Sequence, residues 1–148
     1  QLGGRVALVV ADMRNARLQR LFEISDRQTG LSEALNGRAE AGLCVPSPEF
    51  ANLFVLPAGV IPPNPQELVE RSSFALLLNE LRSKFDYVIV DTPAAEHGAD
   101  ARVIAAKCGA SVAICHQGKT ELKPMESLVA SLKKVCPNFA GVIMNAQK

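Results

Sequence analysis

No apolar segment of this chain approaches the roughly 20 residues that a membrane-spanning helix needs. It carries no long run of lysine and arginine, and its formal net charge is +1. A basic footprint for nucleic acid or anionic lipid is therefore absent, and no nucleic-acid partner is expected. None of the cysteines, Cys44, Cys108, Cys115 and Cys136, forms a C-x-x-C pair. Cys108, Cys115 and Cys136 stand in apolar surroundings and read as buried, reduced thiols of a cytosolic protein. His97 and His116 are too scattered to suggest a metal site. Internal repeats and low-complexity tracts are also missing. So is a phosphate-binding G-x-x-x-x-G-K-[ST] loop: Gly118-Lys119-Thr120 lacks the upstream glycines and follows a late apolar run instead of a first strand.

What is present suits one domain, residues 1–148, large enough to bury a real core. Hydrophobic residues make up 48% and charged residues 21%, as in an ordinary globular protein. The stretch Asp86-Tyr87-Val88-Ile89-Val90-Asp91-Thr92-Pro93 is the most informative. Its continuous apolar run predicts a strand buried on both faces, as in a parallel sheet, and Pro93 ends the ladder. Tyr87 is thus expected inside. Arg5–Ala11, Leu53–Leu56, Ala110–Cys115 and Ala140–Met144 read as further strands.

Between them lie helical patterns. Arg17–Phe22 places Leu18, Leu21 and Phe22 at helical spacing, and Gly30–Gly37 reads as a second short helix closed by Gly37. Arg38–Asn52 is expected to be loop, and Pro57–Pro63 an extended loop. Asn64 predicts an N-cap, Pro65 a first helical residue and Glu67 a capping-box partner. The helix from there carries an apolar stripe at Phe74, Leu77, Leu78, Leu81 and Phe85. Ala101–Lys107 and Met125–Val135 are the remaining helices. Gly3-Gly4 reads as a helix-to-strand turn, implying a helix ahead of residue 1. This alternation predicts an α/β fold, a mostly parallel sheet with flanking helices and right-handed crossovers.

Asp12, Asp91 and Asn145 fall at or just beyond the carboxyl ends of predicted strands, where open α/β sheets bind ligands. Two aspartates on adjacent strand ends suit Mg²⁺, which prefers oxygen and keeps several waters.

The order of these segments resembles the bacterial tyrosine autokinases of exopolysaccharide and capsule synthesis, within the MinD/ParA-like deviant P-loop ATPases. Arg5 to Arg14 is similar to the family's Walker A′ run, which ends Asp-x-Asp-x-Arg. Leu18–Phe22 with Gly30–Gly37 resembles its LxxLF…GLSxxLxG segment, and Leu56–Leu68, LPAGVIPPNPQEL, resembles a family signature. Phe85–Pro93 resembles its Walker B strand, and Gly141–Asn145 its terminal GVxxN. The resemblance covers nearly the whole chain. It implies a three-layer P-loop NTPase-like fold, here lacking the first strand and P-loop.

The resemblance also implies roles. Asp91 would be the Walker B carboxylate on the Mg²⁺ side. Asp12 would be the Walker A′ carboxylate, a metal ligand through water or a general base toward a tyrosine hydroxyl. Arg14 would contact phosphate or a neighbouring subunit, or be a plain surface arginine, and Asn145 would contact the nucleotide base. Pro62–Glu67 is expected to be architectural. ATP and Mg²⁺ are the implied cofactors if a P-loop precedes residue 1. The implied partners are a membrane polysaccharide co-polymerase and further copies of the chain, at a cytoplasmic or peripheral inner-membrane location.

The sequence departs from the family pattern in places. Val10 stands where the motif has its first aspartate, Ala94 replaces the usual second proline after Asp-Thr-Pro, and no tyrosine-rich tail precedes Lys148. The chain starts at Gln1, so a longer parent chain is expected. Two readings follow: a kinase-type ATPase whose P-loop lies ahead of Gln1, and a nucleotide-independent regulatory or assembly module of polysaccharide export. A MinD/ParA-type positioning ATPase is a third, disfavoured by LPAGVIPPNPQEL.

Overall fold

The computed structural model describes residues 3–38 and 43–146. Residues 39–42 of the expected Arg38–Asn52 loop lie outside the described residues. The chain divides into two units, one ending at Asp100 and the other beginning at Ala101.

The first unit is built on β1 (Val6–Val10), which pairs in parallel on one side with β3 (Leu53–Leu56) and on the other with β4 (Tyr87–Asp91). A strand paired on both edges and covered on its faces must be apolar throughout. Ala7, Val9 and Val10 are accordingly buried, packed in a core with Val55, Leu56 and Phe74. At the amino end of the sheet Arg5 lies over both the Phe54 and Phe85 rings, 5.0 Å from each centroid, and its N–H donates to Asp86 Oδ2 at 2.7 Å. This fixes the starts of β1 and β4 together.

Two strand expectations are corrected. The β4 run is not buried on both faces: Tyr87 is 52% and Ile89 55% exposed. Among the described residues β4 pairs with β1 alone, so it is an edge strand; separately, the face that carries Tyr87 and Ile89 is left uncovered. The expected loop 38–52 also contains a strand, β2 (Val45–Pro46), antiparallel to β3. It escapes a periodicity test because it is two residues long, and its proline is tolerated because the strand is at an edge.

The helices depart from expectation where polar residues do the packing. Helix α1 (Arg17–Leu21) buries Gln19, while Leu21 is 75% exposed. Gln19 Oε1 accepts from the Ala58 N–H at 2.9 Å and its amide donates to Asp26 at 3.2 Å, so its polar atoms are satisfied inside. Helix α2 (Leu31–Leu35) ends at Gly37, whose φ of +67° needs glycine.

Asn64 does not cap the next helix through its side chain, and Glu67 turns to Arg71 at 2.8 Å instead of closing a capping box. The expected single helix is two, α3 (Pro65–Glu70) and α4 (Ser72–Lys84), because Arg71 is extended at ψ 153°. The stripe still works: Phe74, Leu78 and Leu81 are buried.

A capping interaction does form at α2. Glu33 Oε2 accepts from the Gly30 N–H at 2.8 Å, and Oε1 accepts from Val60 N–H at 3.1 Å. Pro57, Ala58 and Val60 carbonyls accept from Leu31 N–H, Ser32 N–H and Ser32 Oγ. The loop after β3 is thus held by its backbone against the start of α2. A Cβ on Gly30 would collide with the Pro57 carbonyl, and one on Gly59, at φ +84°, with Glu33.

Helix α5 (Asp100–Lys107) starts at the last residue of the first unit and continues in the second, where β5 (Ser111–His116) pairs in parallel with β6 (Phe139–Asn145). Helix α6 (Leu122–Val135) intervenes. Ala105, Ala113, Leu132 and Cys136 form the buried centre, with Met125, Leu128 and Phe139 around it. Burial pushes the Cys108 thiol up to about 11, aided by Cys136, so it is held in the neutral thiol form.

Because the close approach at residue 30 is backbone against backbone, Gly30→Ala is expected to cost about 3 kcal/mol, read as a lower urea midpoint at unchanged m-value. Glu33 supplies a pH test. Burial disfavours its charge, but the Gly30 and Val60 N–H donors and Ser32 outweigh it and hold the carboxyl below its ordinary value. A depressed folded value adds stability above the unfolded one, lost as pH falls through the folded one. Glu33→Gln should therefore flatten the acid limb of a stability curve below about pH 5; parallel curves for parent and variant would refute the assignment.

Candidate functional site

The pairing register brings two strand ends level: Val10 stands opposite Asp91, and the Ala11 N–H donates to the Asp91 carbonyl at 2.9 Å. Beyond β1 the chain turns sharply at Asp12. Its Oδ1 accepts from the N–H groups of Arg14, at 3.2 Å, and Asn15, at 3.0 Å. A short aspartate side chain capturing the amides two and three residues on fixes its own direction.

Asp91 and Asp12 are close enough to feel each other. Burial raises the Asp91 pKa, and the Asp12 charge raises it further. Val10, the register partner of Asp91 on the neighbouring strand, is itself fully buried. A divalent cation would relieve two repelling carboxylates at the mouth of a parallel sheet. The donors are hard oxygens and few, which fits an ion that keeps most of its water, as Mg²⁺ does. Among the described residues no group of three or more His, Cys, Asp and Glu forms a closed metal cage.

Arg14 is neither spread on the surface nor free to roam. Its Nε donates to Asp100 Oδ2 at 3.0 Å and its Nη2 to Asp100 Oδ1 at 3.2 Å, a two-pronged fork. The Asp100 side chain is 4% exposed and that of Arg14 38%. The hydrogen bonds that Arg14 donates to Asp100, with the Asp100 charge and that of Asp12, raise the Arg14 pKa against burial. Asp100 is the first residue of α5, and sequence reasoning missed it by starting that helix at Ala101. The available signal was an acidic residue in a helical first turn, after a glycine. Arg14 also lines a cleft of about 340 Å³ with Asn64, Gln66, Glu67 and Glu70.

Asp12, Asp91 and Arg14 are therefore gathered in the first unit. Asn145 ends β6 in the second, where its carbonyl accepts from Gln117 N–H at 2.9 Å. Gly118-Lys119-Thr120 is a closed turn: the Lys119 and Thr120 N–H groups both donate to the His116 carbonyl, and Thr120 Oγ1 accepts from His116 N–H. Those amides are already used and cannot cradle a phosphate.

No family model matches the chain. Sequence relatives and solved structures do. The chain is 34% identical over 145 residues to the tyrosine-protein kinase CpsD of Streptococcus pneumoniae serotype 4, covering 97% of this chain and 63% of the relative. It superposes on the kinase domain of the Escherichia coli tyrosine kinase ETK with a TM-score of 0.89 at 30% identity, over 97% of this chain and 56% of that one. Over nearly its whole length the chain is thus similar, in sequence and in fold, to bacterial tyrosine-protein kinases. The cell-division ATPase MinD of Pyrococcus furiosus shares the α/β fold, with a TM-score of 0.78 at 23% identity, over 97% of this chain and 60% of that one. The chain spans under two thirds of the length of the CpsD relative. Among the described residues no helix is long and apolar enough to cross a membrane.

In this tyrosine-kinase-like domain Arg14→Ala would strand the buried Asp100 charge. A loss of about 2 kcal/mol is expected, at the low end for a buried pair because Arg14 is partly solvated. Adding Asp100→Asn should recover part of it, as read in a double-mutant cycle of urea midpoints; strict additivity would refute the coupling.

Proposed function

We propose that the two units belong to one kinase-type ATPase domain acting in exopolysaccharide or capsule synthesis, and that Asp12 and Asp91 face the Mg²⁺ of bound Mg-ATP. The single observation that carries this is the pair of carboxylates at adjacent parallel strand ends, joined by the Val10–Asp91 register. The relatives' names, tyrosine-protein kinases, support the reaction class. In this reading Asp91 holds the ion through water. Asp12 does the same or takes the proton of a tyrosine hydroxyl as it attacks the terminal phosphate. Asn145 contacts the base. The reading holds if a phosphate-cradling loop precedes Gln1. A membrane co-polymerase and further copies of the chain are the expected partners, on the cytoplasmic side of the membrane.

A specific observation favours a second reading. Val10 is buried against the face that carries Asp91, where the family pattern has a carboxylate. An apolar residue there removes one anionic group from ion handling, as suits a nucleotide-independent assembly or regulatory module of polysaccharide export.

Calorimetric titration of Mg-ATP into the longest soluble chain of the gene separates the two. Binding that weakens about 10-fold in Asp91→Asn, and only when Mg²⁺ is present, is expected for the ATPase. Folded protein that gives no heat at high concentration would leave the module reading standing.

A further inference from the structure

We propose that Arg14 is a positioning residue: its fork onto Asp100 holds the turn that aims the Asp12 carboxylate, and the guanidinium is not a phosphate or subunit contact. The inference deepens the reading of Asp12 given above, but it stands on the geometry of the turn alone.

Arg14 is tied at both ends. Its side chain is committed to Asp100 through Nε and Nη2, and its own backbone N–H donates to Asp12 Oδ1. The next amide, of Asn15, donates to the same oxygen. A displacement of Arg14 therefore moves a donor that orients the carboxylate. Asp100 is a firm anchor because it is 3% exposed, and a buried carboxylate holds its counter-charge in place. Turning the guanidinium toward a ligand would leave that charge uncompensated.

The anchor also lies on the chain leaving the other carboxylate. From Asp91 the backbone runs through Thr92 and a 3-10 turn at Ala95–His97 to Gly98 and then to Asp100. One fork therefore closes the loop after β1 onto the end of the loop after β4. Gly98 is fitted to it: at φ +152° a Cβ there would lie 3.3 Å from Asp100 Oδ1 and 3.7 Å from Arg14 Nη2. Lysine could supply the charge but not two parallel donors, so Arg14→Lys is not a conservative change here.

The test is amide hydrogen exchange, read by NMR on the full chain without nucleotide. In Arg14→Lys, protection of the amides of residues 14 and 15 should fall roughly tenfold, as expected for losing a local hydrogen bond, while Val9 and Val55 in the core keep theirs. Asp100→Asn, which keeps shape and removes the anchoring charge, should do the same and covers the case in which the lysine variant fails to fold. Unchanged protection at 14 and 15 in a folded variant, with only the melting temperature lowered, overturns the proposal and leaves the fork a structural ion pair. Loss of protection in variants of a parent that shows no Mg-ATP binding keeps the positioning role and rejects the nucleotide reading instead. Where the parent binds Mg-ATP, Arg14→Lys should weaken it in a Mg²⁺-dependent way.

Discussion

The double pairing of β1 is the constraint from which the ligand end of the first unit follows. A strand hydrogen-bonded on both edges cannot slip by one residue without breaking two ladders at once. That fixed register sets Val10 against Asp91 and lets the first residue beyond the strand, Ala11, make one more bond to the Asp91 carbonyl. Asp12 then inherits its place from the sheet and its direction from the amides of Arg14 and Asn15. Arg5, between its two phenylalanine rings, pins the same strands at the opposite end.

Around that sheet, backbone polar groups are satisfied by a small set of side chains. Gln19 and Glu33 together take up the N–H groups of Ala58 and Val60, and α2 answers the carbonyls of Pro57 and Ala58. An irregular loop rich in glycine and proline can be ordered only when its donors and acceptors find partners. The signature-like segment after β3 is ordered in this way, by an amide and a carboxylate reaching from helices earlier in the chain.

Most strands and helices were legible because periodicity reports burial. Arg5–Ala11 and Leu53–Leu56 read correctly because β1 and β3 do meet apolar neighbours. The run at Tyr87–Val90 misled for the same reason: a sequence reports that a strand is apolar, not whether both of its faces are covered. The inward turn of Gln19 could not be read, since a glutamine is buried only by virtue of partners distant in the chain. Of the site, Asp12 and Asp91 stood out from their places at strand ends. The partner of Arg14 did not, because 86 residues separate it from Asp100 and only the fold brings them together.

Among the described residues one edge of β4 has no strand partner, and this carries a directional consequence. That edge belongs to a strand whose carboxyl end lies level with that of β1. Any segment that laid itself along this edge in the same sense would finish beside Asp91, and whatever turn followed it would open over the two carboxylates. One laid in the opposite sense would bring its beginning there and carry its turn away to the Arg5 end. The polarity of a single hydrogen-bonded ladder thus decides which loop can share the mouth of the sheet with Asp12 and Asp91.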